Sequence, residues 1–123
     1  MPDYGDGLAQ GADLVAAAEN AVAQATAGLG GRRPDLLAVF VCHADPDVAA
    51  VAGERAMEVA GARVALGCTA GGVIGDGRGV EAQPAVAAWA GALPEATFTP
   101  FRLDASPTET GIEKVERALG IEN

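Results

Sequence analysis

The chain has 123 residues and a mass of 12.2 kDa, a length for one domain rather than two. Half the residues are hydrophobic, yet 28 are alanine and only 4% are aromatic, so close approach of backbones has to replace bulky side chains in the core. Eight Lys and Arg against 17 Asp and Glu leave a net charge of -9, with Arg32-Arg33 the only basic pair; this excludes nucleic acid and anionic membrane surfaces as expected partners.

The opening Met1-Pro2-Asp3-Tyr4-Gly5-Asp6 has neither the positive region nor the apolar core of a signal peptide. No apolar run approaches the ~18 residues of a bilayer span. Cys42 and Cys68 are too few for a disulfide framework, so the expectation is a cytoplasmic protein with reduced thiols.

In chain order, Tyr4 to Ala9 has the length of a short strand. Ala12 to about Leu29 follows as the clearest helix, with Leu14, Ala18, Val22, Ala25 and Leu29 on one face. Gly28, Gly30 and Gly31 end it, and Arg32-Arg33-Pro34-Asp35 is a polar connection. Leu36 to Cys42 is an unbroken apolar run, the pattern of a buried parallel strand with layers on both sides. Asp45-Pro46-Asp47 is a helix start: a capping carboxylate, a proline suited to the first turn, and an acid near the positive end of the dipole. That helix is expected to reach Ala60, with Val48, Val51, Ala52, Ala56 and Val59 inward and Gly61 as the stop. Arg63 to Cys68 is the next strand. Leu36 to Cys68 has the span of a βαβ unit, so its two strands should run parallel.

After Cys68 the glycines crowd together, from Thr69 to Gly79. Pro84–Leu93 and Ala96–Leu103 read as strands joined at Leu93-Pro94-Glu95, an antiparallel hairpin in which Pro100 marks an edge or a bulge. Ser106-Pro107-Thr108-Glu109 has capping-box spacing and is expected to open a short helix with Ile112, Val115 and Leu119 on one side. The fold class is therefore α/β: a mixed sheet with a parallel βαβ unit and a C-terminal antiparallel hairpin, helices packed on the sheet.

Two segments leave the carboxyl ends of adjacent parallel strands, Cys42-His43-Ala44-Asp45 and Gly67-Cys68-Thr69-Ala70-Gly71-Gly72. Open α/β sheets bind ligands outside the carboxyl ends of their strands, which places a site there. Cys68 could meet His43, the only histidine, from the neighbouring strand, with Asp45 nearby, as a nucleophilic or redox-active thiol requires. The plainer reading makes both cysteines small apolar residues at strand ends. Cys42, His43, Asp45 and Cys68 are zinc-ligand types, but their spacing matches no structural zinc pattern. The glycine segment contains neither phosphate-loop nor dinucleotide-binding spacing, so no metal or cofactor is expected. Its glycines allow close backbone approach to a small ligand or to a neighbouring strand, and Thr69 adds a hydroxyl. Trp89, set among alanines, fills the space its neighbours leave, or else lines a pocket or interface.

At Gly67-Cys68-Thr69-Ala70-Gly71-Gly72-Val73-Ile74-Gly75 the chain resembles the N-terminal FIST domain, whose members carry a similar Gly-Cys-(Ser/Thr)-Ala-x-Gly-Val-Ile-Gly stretch after a parallel strand. The likeness covers about residues 4 to 104: Gly5-Asp6-Gly7-Leu8-Ala9, the alanine-rich helix, Pro34 to Val41, the helix after Asp45, Gly79-Val80-Glu81, the Ala/Val/Trp strand and Pro100-Phe101. The resemblance implies an intracellular sensory domain of signal-transduction proteins that binds a small ligand such as an amino acid or a derivative. It implies a domain over residues 1–105 and, over 106–123, a helix or linker toward a C-terminal FIST domain, the expected partner in a longer chain. Homo-oligomers are compatible with it. The family transfers no catalytic residues. It does carry over Gly67, Cys68, Thr69, Gly71 and Gly72 as a ligand-facing turn, which the strand-end argument extends to Cys42 and His43. The competing readings are a cysteine-dependent enzyme or thiol redox sensor using Cys68 and Cys42, and a protein-interaction module that binds no ligand.

Overall fold

A computed structural model describes residues 3–101 and 119–120. Its elements run β1 (Asp3–Gln10), α1 (Leu14–Ala27), β2 (Leu36–Cys42), α2 (Pro46–Ala60), β3 (Val64–Thr69), β4 (Gly72–Gly75), β5 (Arg78–Glu81) and β6 (Ala85–Ala92). Four strands form one sheet in the order β1-β6-β2-β3, and β4 and β5 form a separate two-stranded sheet. The fold is α/β with a mixed sheet, in which β2 and β3 are parallel and β6 lies antiparallel between β1 and β2.

Both helices are capped by aspartates, Asp45 where the sequence marks a start and Asp13 one residue inside the start expected at Ala12. The Asp13 carboxylate accepts the Ala16 N–H at 3.1 Å, and the Asp45 carboxylate accepts the Asp47 N–H at 2.9 Å. Pro46 opens α2, and Gly61, left-handed at φ 60°, closes it by donating its N–H to the Met57 carbonyl.

The helices cover one face of the main sheet. There Leu14, Ala18, Val22, Ala25 and Leu29 of the α1 region meet Val86, Ala88 and Ala90 of β6 and Leu37, Val39 and Val41 of β2. Small residues set the spacing: a Cβ at Gly7 would strike the Ala21 carbonyl oxygen and the Gln24 side chain, so α1 lies directly on β1. In α2 the buried residues are Ala49, Ala52, Ala56 and Ala60. Val48, Val51 and Val59, expected inward, are exposed, because only the alanine stripe lets α2 approach α1 and the sheet closely.

The opposite face carries the antiparallel hairpin, formed by β4 and β5 around a two-residue Asp76-Gly77 turn with φ of 49° and 69°. It covers Leu8, Cys42, Ala85 and Ala87 with Val73, Val80 and Ala70. The double-sided burial expected of β2 is thus complete at Cys42 and fails at Phe40, which is 37% exposed. The strand expected from Pro84 is present as β6, but residues 96–101 form no strand, and β6 pairs with β1 and β2 instead. The rest of that expected strand, and the 106–119 helix apart from its last residue, lie outside the described residues.

Candidate functional site

The carboxyl ends of β2 and β3 lie at one end of the sheet, as parallel pairing requires, but the residues leaving them go separate ways. Cys42 is buried beneath the β4–β5 hairpin among Leu8, Val73, Ala85 and Ala87. His43 is half-buried, and its Nδ1 accepts the Asp45 N–H at 2.9 Å, so this ring nitrogen serves the turn into α2. Among the described residues no hydrogen bond joins His43 to either cysteine. Gly71 accepts the Ala82 N–H on its carbonyl, and Gly72 begins β4; both belong to the base of the hairpin. Among the described residues no three His, Cys, Asp or Glu side chains are grouped to hold a metal ion.

Gly67, Cys68 and Thr69 do come together with other groups. They form one wall of a groove of about 370 Å³ between β3 and α2, whose other wall is Pro46, Ala49, Ala50, Gly53, Glu54 and Met57. The floor is Val39 and Val41 of β2. The groove exists because its lining is small: Gly53 has no atom within 4 Å of where a Cβ would stand, so the helix is locally indented. Gly67 is required for a different reason, since a Cβ there would meet the Val39 carbonyl oxygen. The walls are mostly apolar, with two polar side chains in the lining, Glu54 and Thr69. Cys68 is exposed, but it pairs with Phe40 in the sheet, so its thiol alternates onto the face away from α2. This is the composition of a small-molecule site, apolar surface with a few orienting groups.

The α2 contribution is the part that sequence reading missed. Its signal was the succession Ala49, Ala50, Gly53, small residues about one turn apart on a helix whose valines drew attention to a different stripe.

A larger cleft, about 580 Å³, lies at the opposite end of the sheet between Arg32, Arg33, Asp35, Arg63 and the 92–98 segment. Its cations are already engaged. Arg63 Nε is 3.0 Å from the Asp35 carboxylate, Arg33 Nε donates to the Gly61 carbonyl at 2.7 Å, and Arg32 pairs with Asp3. Asp35 also accepts the Leu93 N–H at 2.6 Å, so this cluster ties the amino ends of β2 and β3 to the end of β6. No protein-family model matches the chain, and neither does any curated protein or solved structure.

Proposed function

We propose that the chain is a sensory domain of the FIST type, a cytoplasmic signal-transduction module that takes a small ligand such as an amino acid or its derivative. The supporting observation is the groove between α2 and β3, where Gly67, Cys68 and Thr69 of the FIST-like stretch share a cavity with Glu54. Glu54 would accept an ammonium group, Thr69 would hydrogen-bond a carboxylate or carbonyl, and the Val39, Val41 and Met57 surface would take an apolar side chain. The ligand-facing region is then Gly67 to Thr69 with α2, and Gly71, Gly72, Cys42 and His43 support it by anchoring the turns on either side.

Isothermal titration calorimetry against the amino acids and their decarboxylated and N-acylated derivatives tests this. Saturable binding of at least one compound, lost in Gly53→Leu, which fills the groove, is the expected result. No heat from any compound with the folded protein overturns the reading.

A thiol-based function is the second reading, and the observation favouring it is the exposure of Cys68 on β3. It is carried by Cys68 alone, because Cys42 is sealed in an apolar cluster. Selective labelling of Cys68 by an iodoacetamide probe at rates far above those of a free thiol would support it.

A further inference from the structure

The two edges of the main sheet differ in a way that assigns one of them a partner. At the β1 edge the Leu8 N–H and C=O, which point away from β6, are both taken by the Gln24 side-chain amide, at 3.1 and 3.0 Å. Arg78 also reaches the Leu8 carbonyl, the Asp6 carboxylate accepts the Asp76 N–H, and Asp3 pairs with Arg32. An occupied, charged edge of this kind cannot accept another strand.

The β3 edge has none of these protections. Val64 N–H bonds the Asp35 carbonyl and Ala70 N–H the Val41 carbonyl, so by alternation the even-numbered residues face β2 and Ala65, Gly67 and Thr69 direct their N–H and C=O groups outward. Among the described residues those groups have no hydrogen-bond partner. The strand Val-Ala-Leu-Gly-Cys-Thr carries no charge, no proline and no covering side chain, and its Leu66 is 53% exposed. Natural edges are normally blunted by one of these devices, and this strand lacks them all.

We propose that the outer edge of β3 pairs antiparallel with β3 of a second copy, centred on Gly67, so that two four-stranded sheets become one. The strand is its own complement in this register. Gly67 faces the partner's Gly67 at the two-fold axis, where the absence of side chains removes any clash, and Ala65 faces the partner's Thr69. The six outward N–H and C=O groups of each strand are then satisfied. Leu66 falls opposite the partner's Cys68 in a non-hydrogen-bonded pair, the closer of the two kinds of cross-strand pair. Charge selects the antiparallel orientation and the identical partner. At the amino end of β3, Arg33 and Arg63 stand against the single carboxylate of Asp35. At the carboxyl end Thr69 shares the groove with Pro46, which Asp45 and Asp47 flank at the start of α2, so each net basic end meets an acidic end. An isologous contact needs such a self-complementary patch. An uncharged strand also avoids the repulsion that a net charge of -9 imposes elsewhere on the surface.

Sedimentation velocity of the ligand-free protein over a wide concentration range, with cysteine cross-linking, tests the pairing without reference to the groove. The expected result is a reversible monomer–dimer equilibrium whose dissociation constant rises at least tenfold in Leu66→Lys. Leu66→Cys should form an intermolecular disulfide on mild oxidation with diamide, mapped by mass spectrometry to Cys68 and abolished by adding Cys68→Ser. A protein that stays monomeric at all concentrations overturns the proposal, as does a dimer indifferent to Leu66→Lys. A cross-link that survives Cys68→Ser overturns the register. If Leu66→Lys does not fold, the wild-type sedimentation and the cross-link still decide.

Discussion

At the scale of single residues, the glycines fall into two groups that composition alone does not separate. Gly5, Gly7 and Gly67 sit where a Cβ would collide with a carbonyl oxygen of the neighbouring element, whereas at Gly79 a Cβ meets nothing within 4 Å. Gly67→Ala is therefore expected to destabilise the fold by about 1–3 kcal/mol, the usual cost of overpacking, and Gly79→Ala to stay within about 0.5 kcal/mol of wild type. Urea denaturation of the two variants checks this, and equal midpoints would contradict the close approach. The sequence displayed the density of glycine after β3 but not its purpose. Gly67 is a packing residue against Val39, Gly72 and Gly75 belong to a hairpin strand, and Gly77 turns that hairpin with a positive φ. Cys42 shows the same limit. Its position at a strand end suggested a site, and only the hairpin folded over it reveals a buried core residue.

At the scale of elements, local chemistry was most legible. The Asp45 cap, the Gly61 stop and the Leu14-to-Leu29 stripe lie where the sequence puts them, because caps and periodicity act over a few residues. Asp45→Ala is expected to lower stability by about 1 kcal/mol, read as a reduced thermal midpoint. In the middle of α2, Gly53 adds backbone freedom without a packing reason, since a Cβ there has open space. Gly53→Ala should accordingly stabilise the protein by about 0.5–1 kcal/mol, and a lower urea midpoint would show that the indentation is needed for packing. Long-range pairing was less legible. Leu93-Pro94-Glu95 looked like a hairpin turn, but β6 takes its partners from β1 and β2, far away in the chain. The true hairpin turn is Asp76-Gly77, a strong turn signal flanked by strands so rich in glycine that their β character is weak.

At the scale of the whole molecule, the fold is a layer of helices on one face of a sheet with a two-stranded cover on part of the other. Tyr4 and Trp89 stack on that second face with ring centroids 6.4 Å apart, and Phe40 is 37% exposed. The candidate site is displaced from where topology alone puts it. Ligands of open α/β sheets bind beyond the strand ends, yet here the turns after β2 and β3 are occupied by a helix cap and a hairpin base. The open space lies to the side, between α2 and β3, where alanine and glycine leave volume unfilled. No helix among the described residues is long and apolar enough to cross a membrane. The most direct test of the groove is amide chemical-shift mapping of the isotopically labelled protein during titration with the amino-acid set. Shifts concentrated at Gly53, Glu54, Gly67, Cys68 and Thr69 are predicted. Shifts confined to the cleft of Arg32, Arg33 and Arg63, with the α2–β3 groove unmoved, would contradict the account.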